Sequence, residues 1–250
     1  MDQSATTGNF SGRNLSVVMI TLNEERAIAK VVSDIRQVVP EAEIVVVDSS
    51  KDRTAEIAGE LGCVVIKQFP PKGYGPAMDK ALTGGSREIV VTLDCDDTYP
   101  VAAINTLLDE VNKGNDLVSA SRLGKRPEAM PFSNYLANCL FAWLAWFICG
   151  VHSTDVHTGM RAYRRTLIND FPYDPNGAAL PVELQVGPAS LGYKCSEFFI
   201  DYLPRIGESK LKKIESTVWT IKRLWRWRFF ANPERASLLA ARKSTAPVPR

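Results

Sequence analysis

Four short aliphatic, largely β-branched runs, at 15–20, 44–47, 63–66 and 89–93, carry no polar alternation. Strands that read this way are buried on both faces, as in a parallel sheet covered by helices on each side. Between the first two runs, 24–39 shows helical spacing at Ile28, Val31, Val32 and Ile35, and Pro40 ends it. Shorter helical patterns occupy 54–61, 76–82 and 101–111. The alternation predicts right-handed βαβ units and an α/β, doubly wound sheet. Ligands of such sheets bind beyond the carboxyl ends of the strands. The polar clusters 21–25, 48–52 and 94–97 fall at those ends.

With 250 residues, 45% of them hydrophobic, the chain is long enough to bury a core without disulfides or a structural metal. Its five cysteines are scattered and form no C-x-x-C pair, which suits a reducing compartment, so a cytoplasmic location is expected. Residues 1–14 are polar, lack the apolar region of a secretory leader and are expected to be disordered.

The net charge of +2 hides an asymmetry: from 203 onward there are twelve Lys/Arg against three Asp/Glu, whereas the preceding 202 residues are net acidic. The basic tail is interleaved with Trp219, Trp225, Trp227, Phe229 and Phe230. Such a mixture suits an anionic surface, phospholipid or nucleic acid, or a solvated helix packed on its own domain. The acidic balance of the rest argues against nucleic acid outside the tail, and no nucleic-acid partner is expected. Over 211–230 the apolar positions 211, 214, 218, 221 and 225 form a helical stripe, with Lys212, Lys213, Lys222 and Arg226 elsewhere on the surface. The stretch 135–149 has Asn138 as its only strongly polar residue. It is shorter than the roughly 20 residues a membrane span needs, and reads equally as a buried core helix or an interfacial one. The expected organisation is a main domain over 15–210, a basic-aromatic helix over 211–232 and a disordered tail over 233–250.

The strongest chemical signal is Asp94-Cys95-Asp96-Asp97, directly after a strand. Three carboxylates in four residues repel one another unless a cation holds them. Hard oxygen ligands favour Mg²⁺ or Mn²⁺; a solvated acidic turn is the plain alternative. Asp48 ends the second strand, where a carboxylate can accept from a base N–H, and Asp52 suits a helix cap. The loop at 72–77, K-G-Y-G-P-A, opens a helix, and its glycines allow close backbone approach to an anion.

In order along the chain, these motifs resemble those of the family 2 inverting glycosyltransferases of the GT-A fold. V-V-M-I-T-L-N-E-E at 17–25 is similar to the family's first strand and nucleotide loop. I-V-V-V-D-S-S-K-D-R-T at 44–54 resembles its D-G-S-x-D-x-T segment, K-G-Y-G-P-A its K-x-G-x-G-x-A, and D-C-D-D-T-Y-P at 94–100 its D-x-D. The resemblance continues through Ser121-Arg122 and D-V-H-T-G-M-R at 155–161. Glu183 and R-I-G-E-S-K-L at 205–211 resemble the branch of dolichyl-phosphate mannose synthases and polyprenyl-phosphate glycosyltransferases.

The resemblance implies a mostly parallel, Rossmann-like sheet flanked by helices, with a C-terminal amphipathic helix. It implies a nucleotide-sugar site, for a GDP- or UDP-linked donor, at Ile20, Leu22, Glu24, Val46, Asp48, Lys72, Asp94, Cys95 and Asp96. Asp94 and Asp96 would hold the metal, Asp96 the more directly. Arg122, Arg205 and Lys210 would meet the phosphates of donor and acceptor, and Asp94, Asp96, Arg122 and Glu183 are the catalytic candidates. Val47 replaces a common acidic residue, Ile20 a common proline, and Thr98 a frequent glutamine, which leaves the base and the sugar open.

Charge supports a phosphate acceptor independently of the resemblance. A phosphomonoester has its second pKa near about 6, so at neutral pH it is largely a dianion. It can attack an anomeric carbon without a strong general base and needs cations to hold two anions together, which Arg122, Arg205 and Lys210 would supply. A hydroxyl acceptor needs a base, for which Asp155, His157 and Glu183 are the candidates. The expectation is therefore sugar transfer to a polyprenyl phosphate by a protein peripheral on the cytoplasmic face of an anionic membrane. The rivals are transfer to a soluble hydroxyl and a non-catalytic membrane-binding module.

Overall fold

The computed structural model describes residues 9–207 and 213–230. Lys210, the first eight residues and the tail 233–250 lie outside them. Seven strands form one sheet: β1 (Leu15–Thr21), β2 (Glu43–Asp48), β3 (Val64–Lys67), β4 (Ile89–Thr92), β5 (Leu117–Ser121), β6 (Arg161–Arg164) and β7 (Cys195–Phe199). Their spatial order is β3-β2-β1-β4-β6-β5-β7. All neighbours are parallel except β6, which runs antiparallel between β4 and β5.

The unbroken apolar runs are explained by two cores. Val17 and Met19 of β1, Ile44 and Val46 of β2, and Ile89 and Val91 of β4 face one side. Their alternating neighbours Val18, Val45, Val47 and Val90 face the other. On the first side lie α1 (Ile28–Val38), α2 (Thr54–Glu60) and α4 (Ala103–Asn112), packed through Ile28, Val31, Val32, Ile35, Ala58, Ile104, Leu107, Leu108 and Val111. On the second lie α3 (Tyr74–Gly84), α5 (Phe132–Cys149), α6 (Arg165–Asp170), α7 (Leu180–Ser190) and α8 (Lys213–Trp225), with a π-helical turn at Arg226–Phe230. β3 departs from expectation: as the edge strand it is half-exposed, with only one neighbour. Within the N-terminal segment, residues 9–14 include a 3-10 turn at Gly12–Asn14, and Phe10 exchanges two hydrogen bonds with the Asn112 side chain, at 2.8 and 3.1 Å.

Three helices on the second face differ in how they are buried. α7 is buried on nearly every side and is not amphipathic. α5 buries only Ala142 and Ala145, whereas Phe132, Leu136, Leu140, Trp143, Trp146 and Phe147 are exposed. By length and composition its 18 residues could cross a membrane, yet its buried face packs on α7 and α8. α8 is no detached tail. Its Arg223 is 2% exposed and pairs with the fully buried Glu183 of α7 at 2.5 Å. Trp227 is equally internal, stacked on Phe171 at 5.3 Å, so it belongs to the core and not to the exposed aromatic face.

Candidate active site

The carboxyl ends of β1, β2 and β4 converge on two laced loops and an acidic turn. In-register pairing sets Thr21 beside Asp48, and the Thr21 hydroxyl donates to Asp48 Oδ1 at 2.7 Å. The Ser50 hydroxyl donates to the same oxygen at 2.6 Å, while among the described residues Oδ2 receives only the Ser50 N–H at 3.2 Å and keeps room to accept. Loop 21–25 is tied to 48–54 by at least six more bonds, including Asn23 N–H to Ser50 Oγ at 2.7 Å and Glu24 N–H to Thr54 Oγ1 at 2.9 Å. Asp52 accepts from the Thr54 N–H at 3.0 Å and so steadies the start of α2.

The acidic turn divides its carboxylates by partner. Asp97, in the left-handed region at φ 63°, turns outward to Lys30 of α1 at 2.8 Å. Asp96 is buried; its Oδ1 takes the Thr98 hydroxyl at 2.6 Å and the Thr98 N–H at 3.1 Å, and its Oδ2 pairs with Arg205. Among the described residues no donor hydrogen-bonds to Asp94. Burial, then the adjacent Asp96 charge, raise its carboxyl to about 7 in spite of Arg122 and Arg205 nearby. Gly159 makes room for it, since a Cβ there would come within 2.9 Å of Asp94 Oδ2. Two hard-oxygen donors, one carrying a destabilised and unpartnered charge, fit a divalent cation held by Asp94 and Asp96.

The remaining candidates are spread over a wider area. Arg122 grips the fully buried Asp155 bidentately, Nε–Oδ2 at 2.6 Å and Nη2–Oδ1 at 2.9 Å, and lies over the Tyr202 ring at 5.6 Å. Burial alone would raise the Asp155 carboxyl; Arg122 overrides it and holds it below the usual value. The loop after β7 is fastened to the turn by Leu203 N–H to Thr98 O at 3.0 Å and Ile206 N–H to Asp96 O at 2.9 Å, which brings Arg205 to Asp96. Lys72 is exposed on the loop before α3. Gly75 is obligatory there, because a Cβ would lie 2.0 Å from Pro175 O.

Some candidates change role. The side chains of Val46 and Cys95 are in the core, so a ligand at those positions would meet their backbone. Ile20 packs partly against the second core, and Leu22 and Glu24 are half-exposed on the laced loop. Glu183 has Arg223, Arg226 and the Asp174 N–H as its polar partners. His157 Nε2 meets Thr220 Oγ1 at 2.9 Å, and Thr220 spends its own proton on Ser216 O at 2.8 Å, so the imidazole is the Nε2–H tautomer. Burial lowers its pKa to about 4 and keeps it neutral. Tyr202, Gly159 and the Asp174–Arg223 link escaped sequence reasoning; only the glycine of T-G-M-R hinted at a close approach.

A family model for glycosyl transferase family 2 matches residues 16–171. The chain is 47% identical over 199 residues to a dolichyl-phosphate hexose transferase of Haloferax volcanii, spanning 79% of this chain and 86% of that protein. It is 26% identical over 211 residues to the polyprenol monophosphomannose synthase of Mycolicibacterium smegmatis, spanning 78% and 80%. Glucosyl-3-phosphoglycerate synthase from Mycobacterium tuberculosis, solved with Mn²⁺, uridine diphosphate and phosphoglyceric acid, shares the fold at a TM-score of 0.69 and 23% identity, over 87% of this chain and 79% of that one. The fold and the acidic turn define a sugar-transferring enzyme of the GT-A type. The chain belongs to glycosyl transferase family 2.

Proposed function

We propose that the protein transfers a hexose from a nucleoside diphosphate sugar to a polyprenyl phosphate at a membrane surface, with Mg²⁺ or Mn²⁺ at Asp94 and Asp96. The observation that carries the phosphate acceptor is that no candidate base is poised for the role: Asp155 is paired with Arg122, Glu183 with Arg223, and His157, whose Nε2–H goes to Thr220, has its Nδ1 buried and its pKa lowered to about 4. An acceptor that arrives as a dianion needs none of them. The 47%-identical dolichyl-phosphate hexose transferase supports the same acceptor class.

In this reading Asp48 Oδ2 accepts from the base, and Leu22 and Glu24 border the nucleoside. The opening of α3 after Lys72 and Gly73 faces the diphosphate. When bound, the metal acts as a Lewis acid for the negative charge that develops on the diphosphate. Arg205, and Lys210 beyond the described residues, hold the acceptor phosphate. Its oxygen attacks the anomeric carbon as the bond to the diphosphate oxygen breaks, so a single displacement inverts that centre. Arg122, neutralised by Asp155, shapes the pocket.

Membrane docking is supported by two adjoining apolar stripes. Phe132, Leu136, Leu140, Trp143 and Phe147 of α5 are exposed, as are Ile214, Val218, Ile221, Trp225 and Phe229 along α8 and its final turn. Trp143, Phe147, Ile221, Trp225 and Phe229 line one groove of about 520 Å³, with Arg228 at its edge. Removing a half-exposed side chain of this kind from water yields roughly 1 kcal/mol, and each basic residue near an anionic surface adds about 1 kcal/mol. Ten such side chains with Lys222 and Arg228 are ample for peripheral binding. The test is a donor screen, GDP- and UDP-hexoses with and without Mn²⁺, against liposomes carrying polyprenyl phosphate. Labelled lipid product that disappears with EDTA is expected; turnover on a soluble alcohol alone would overturn the reading.

A further inference from the structure

Asp96 has a cation already. Its Oδ1 is filled by the Thr98 hydroxyl and N–H, and its Oδ2 is paired with the Arg205 guanidinium. The same oxygen is the one a divalent ion would need beside Asp94, and two cations sharing it repel each other. The backbone around Arg205 does not depend on that pair. Ile200 N–H bonds to Ser121 O, Leu203 N–H to Thr98 O and Ile206 N–H to Asp96 O, at 2.9, 3.0 and 2.9 Å. The long side chain, about one third exposed, can therefore swing away while its loop stays fastened. Arg122 is built the opposite way: its side chain is only 11% exposed and is gripped at Nε and Nη2 by the fully buried Asp155.

We propose that in the ligand-free protein Arg205 closes the metal site by occupying Asp96, and that cation binding releases its guanidinium for the acceptor phosphate. This rests on the function proposed above and adds a direction to it. Before the metal and nucleotide bind, the acceptor site lacks its principal arginine. Afterwards Arg205 no longer occupies Asp96, and its guanidinium can turn to an incoming phosphate. Metal and acceptor phosphate are thus coupled through one side chain that cannot serve both Asp96 and a phosphate, and reciprocity requires that phosphate tighten the metal in turn.

The experiment measures binding to the full chain, without turnover. Mn²⁺ is titrated by electron paramagnetic resonance of the free ion, alone and with UDP or GDP. A short-chain polyprenyl phosphate in detergent, with inorganic phosphate as the headgroup control, is titrated by calorimetry into the metal-free and the Mn²⁺·nucleotide-loaded protein. Mn²⁺ with a nucleoside diphosphate carries net negative charge, so electrostatics alone predicts weaker phosphate binding to the loaded protein; release of Arg205 predicts binding about tenfold tighter. Arg205→Gln is expected to tighten Mn²⁺ about tenfold and to abolish the coupling. Phosphate affinity that is unchanged or weaker in the loaded wild type overturns the exchange, as does unchanged Mn²⁺ affinity in Arg205→Gln. Failure of either nucleotide to recruit Mn²⁺ to the wild type would remove the metal-dependent function itself, a different and recognisable outcome.

Discussion

Replacing Arg223 by Met tests whether α8 is part of the catalytic domain. Arg223 is 2% exposed, and its Nη1 lies 2.5 Å from Oε2 of the fully buried Glu183. It also reaches Asp174 Oδ2 at 3.1 Å and Asp174 O at 2.8 Å. Without it, Glu183 retains Arg226, whose Nε is 3.9 Å away, and the Asp174 N–H at 3.4 Å. Removing one partner of a buried pair costs about 3–5 kcal/mol, because the other charge is left uncompensated. At about 2–4 °C per kcal/mol for a chain of this size, the melting temperature falls by roughly 6–20 °C. The double variant Glu183→Leu/Arg223→Met removes both charges and is expected to recover more than half of that loss, since apolar isosteres of a buried pair are often neutral or better. Urea midpoints at constant m give the numbers, and the cycle gives the coupling. A cost below about 1 kcal/mol for Arg223→Met would refute the reasoning. So would Glu183→Gln that keeps full stability and loses turnover, which would make Glu183 a catalytic group. The same network means that deleting 219–250 unfolds the domain and cannot isolate membrane docking.

Three further outcomes are expected. Asp94 is held protonated up to about 7 in the fold, against about 3.9 when unfolded. It thus contributes stability below pH 4 that is lost as pH rises to 7; above pH 7, Asp94→Asn should raise metal-free stability by roughly 1–4 kcal/mol while abolishing Mn²⁺-induced stabilisation, read by thermal denaturation. His157 has the opposite sign: its pKa falls to about 4 in the fold, so its stability contribution is complete above about 6.5 and lost as pH falls towards 4, by up to ~3 kcal/mol, and His157→Gln should flatten that slope in urea titrations at stepped pH. The triple variant Trp143→Ser/Phe147→Ser/Trp225→Ser should weaken sedimentation with anionic liposomes at least about tenfold with little change in urea midpoint, since these side chains are exposed; unchanged sedimentation would move the docking face elsewhere.

The first four strands were legible because each buries both faces, so Val17-Val18-Met19 or Val45-Val46-Val47 needs no polar alternation. β5, β6 and β7 were not, since L-V-S-A-S, R-A-Y-R and C-S-E-F-F mix polar and apolar residues in the way loops do. β6 is central yet carries Arg161 and Arg164, whose guanidinium groups are absorbed by backbone carbonyls such as Val156 O at 2.9 Å and Val111 O at 2.7 Å. The acidic turn was legible from charge alone, but its division was not. That Asp97 belongs to Lys30, Asp96 to Arg205 and Asp94 to no donor depends on contacts up to 109 positions apart. Likewise, α8 read as an amphipathic surface helix because its buried side holds Arg223, a residue that signals exposure until Glu183 is placed beneath it.

In the proposed reaction the acceptor's own charge replaces a general base. The most direct measurement of this compares a polyprenyl phosphate with the matching polyprenol, in the same liposomes, with the same hexose donor and Mn²⁺. With Asp155 and Glu183 ion-paired and the His157 imidazole buried and weakly basic, glycosylated phosphate should accumulate while the alcohol yields no product. Equal transfer to the alcohol would mean that one of those three groups acts as a base, and the account would fail.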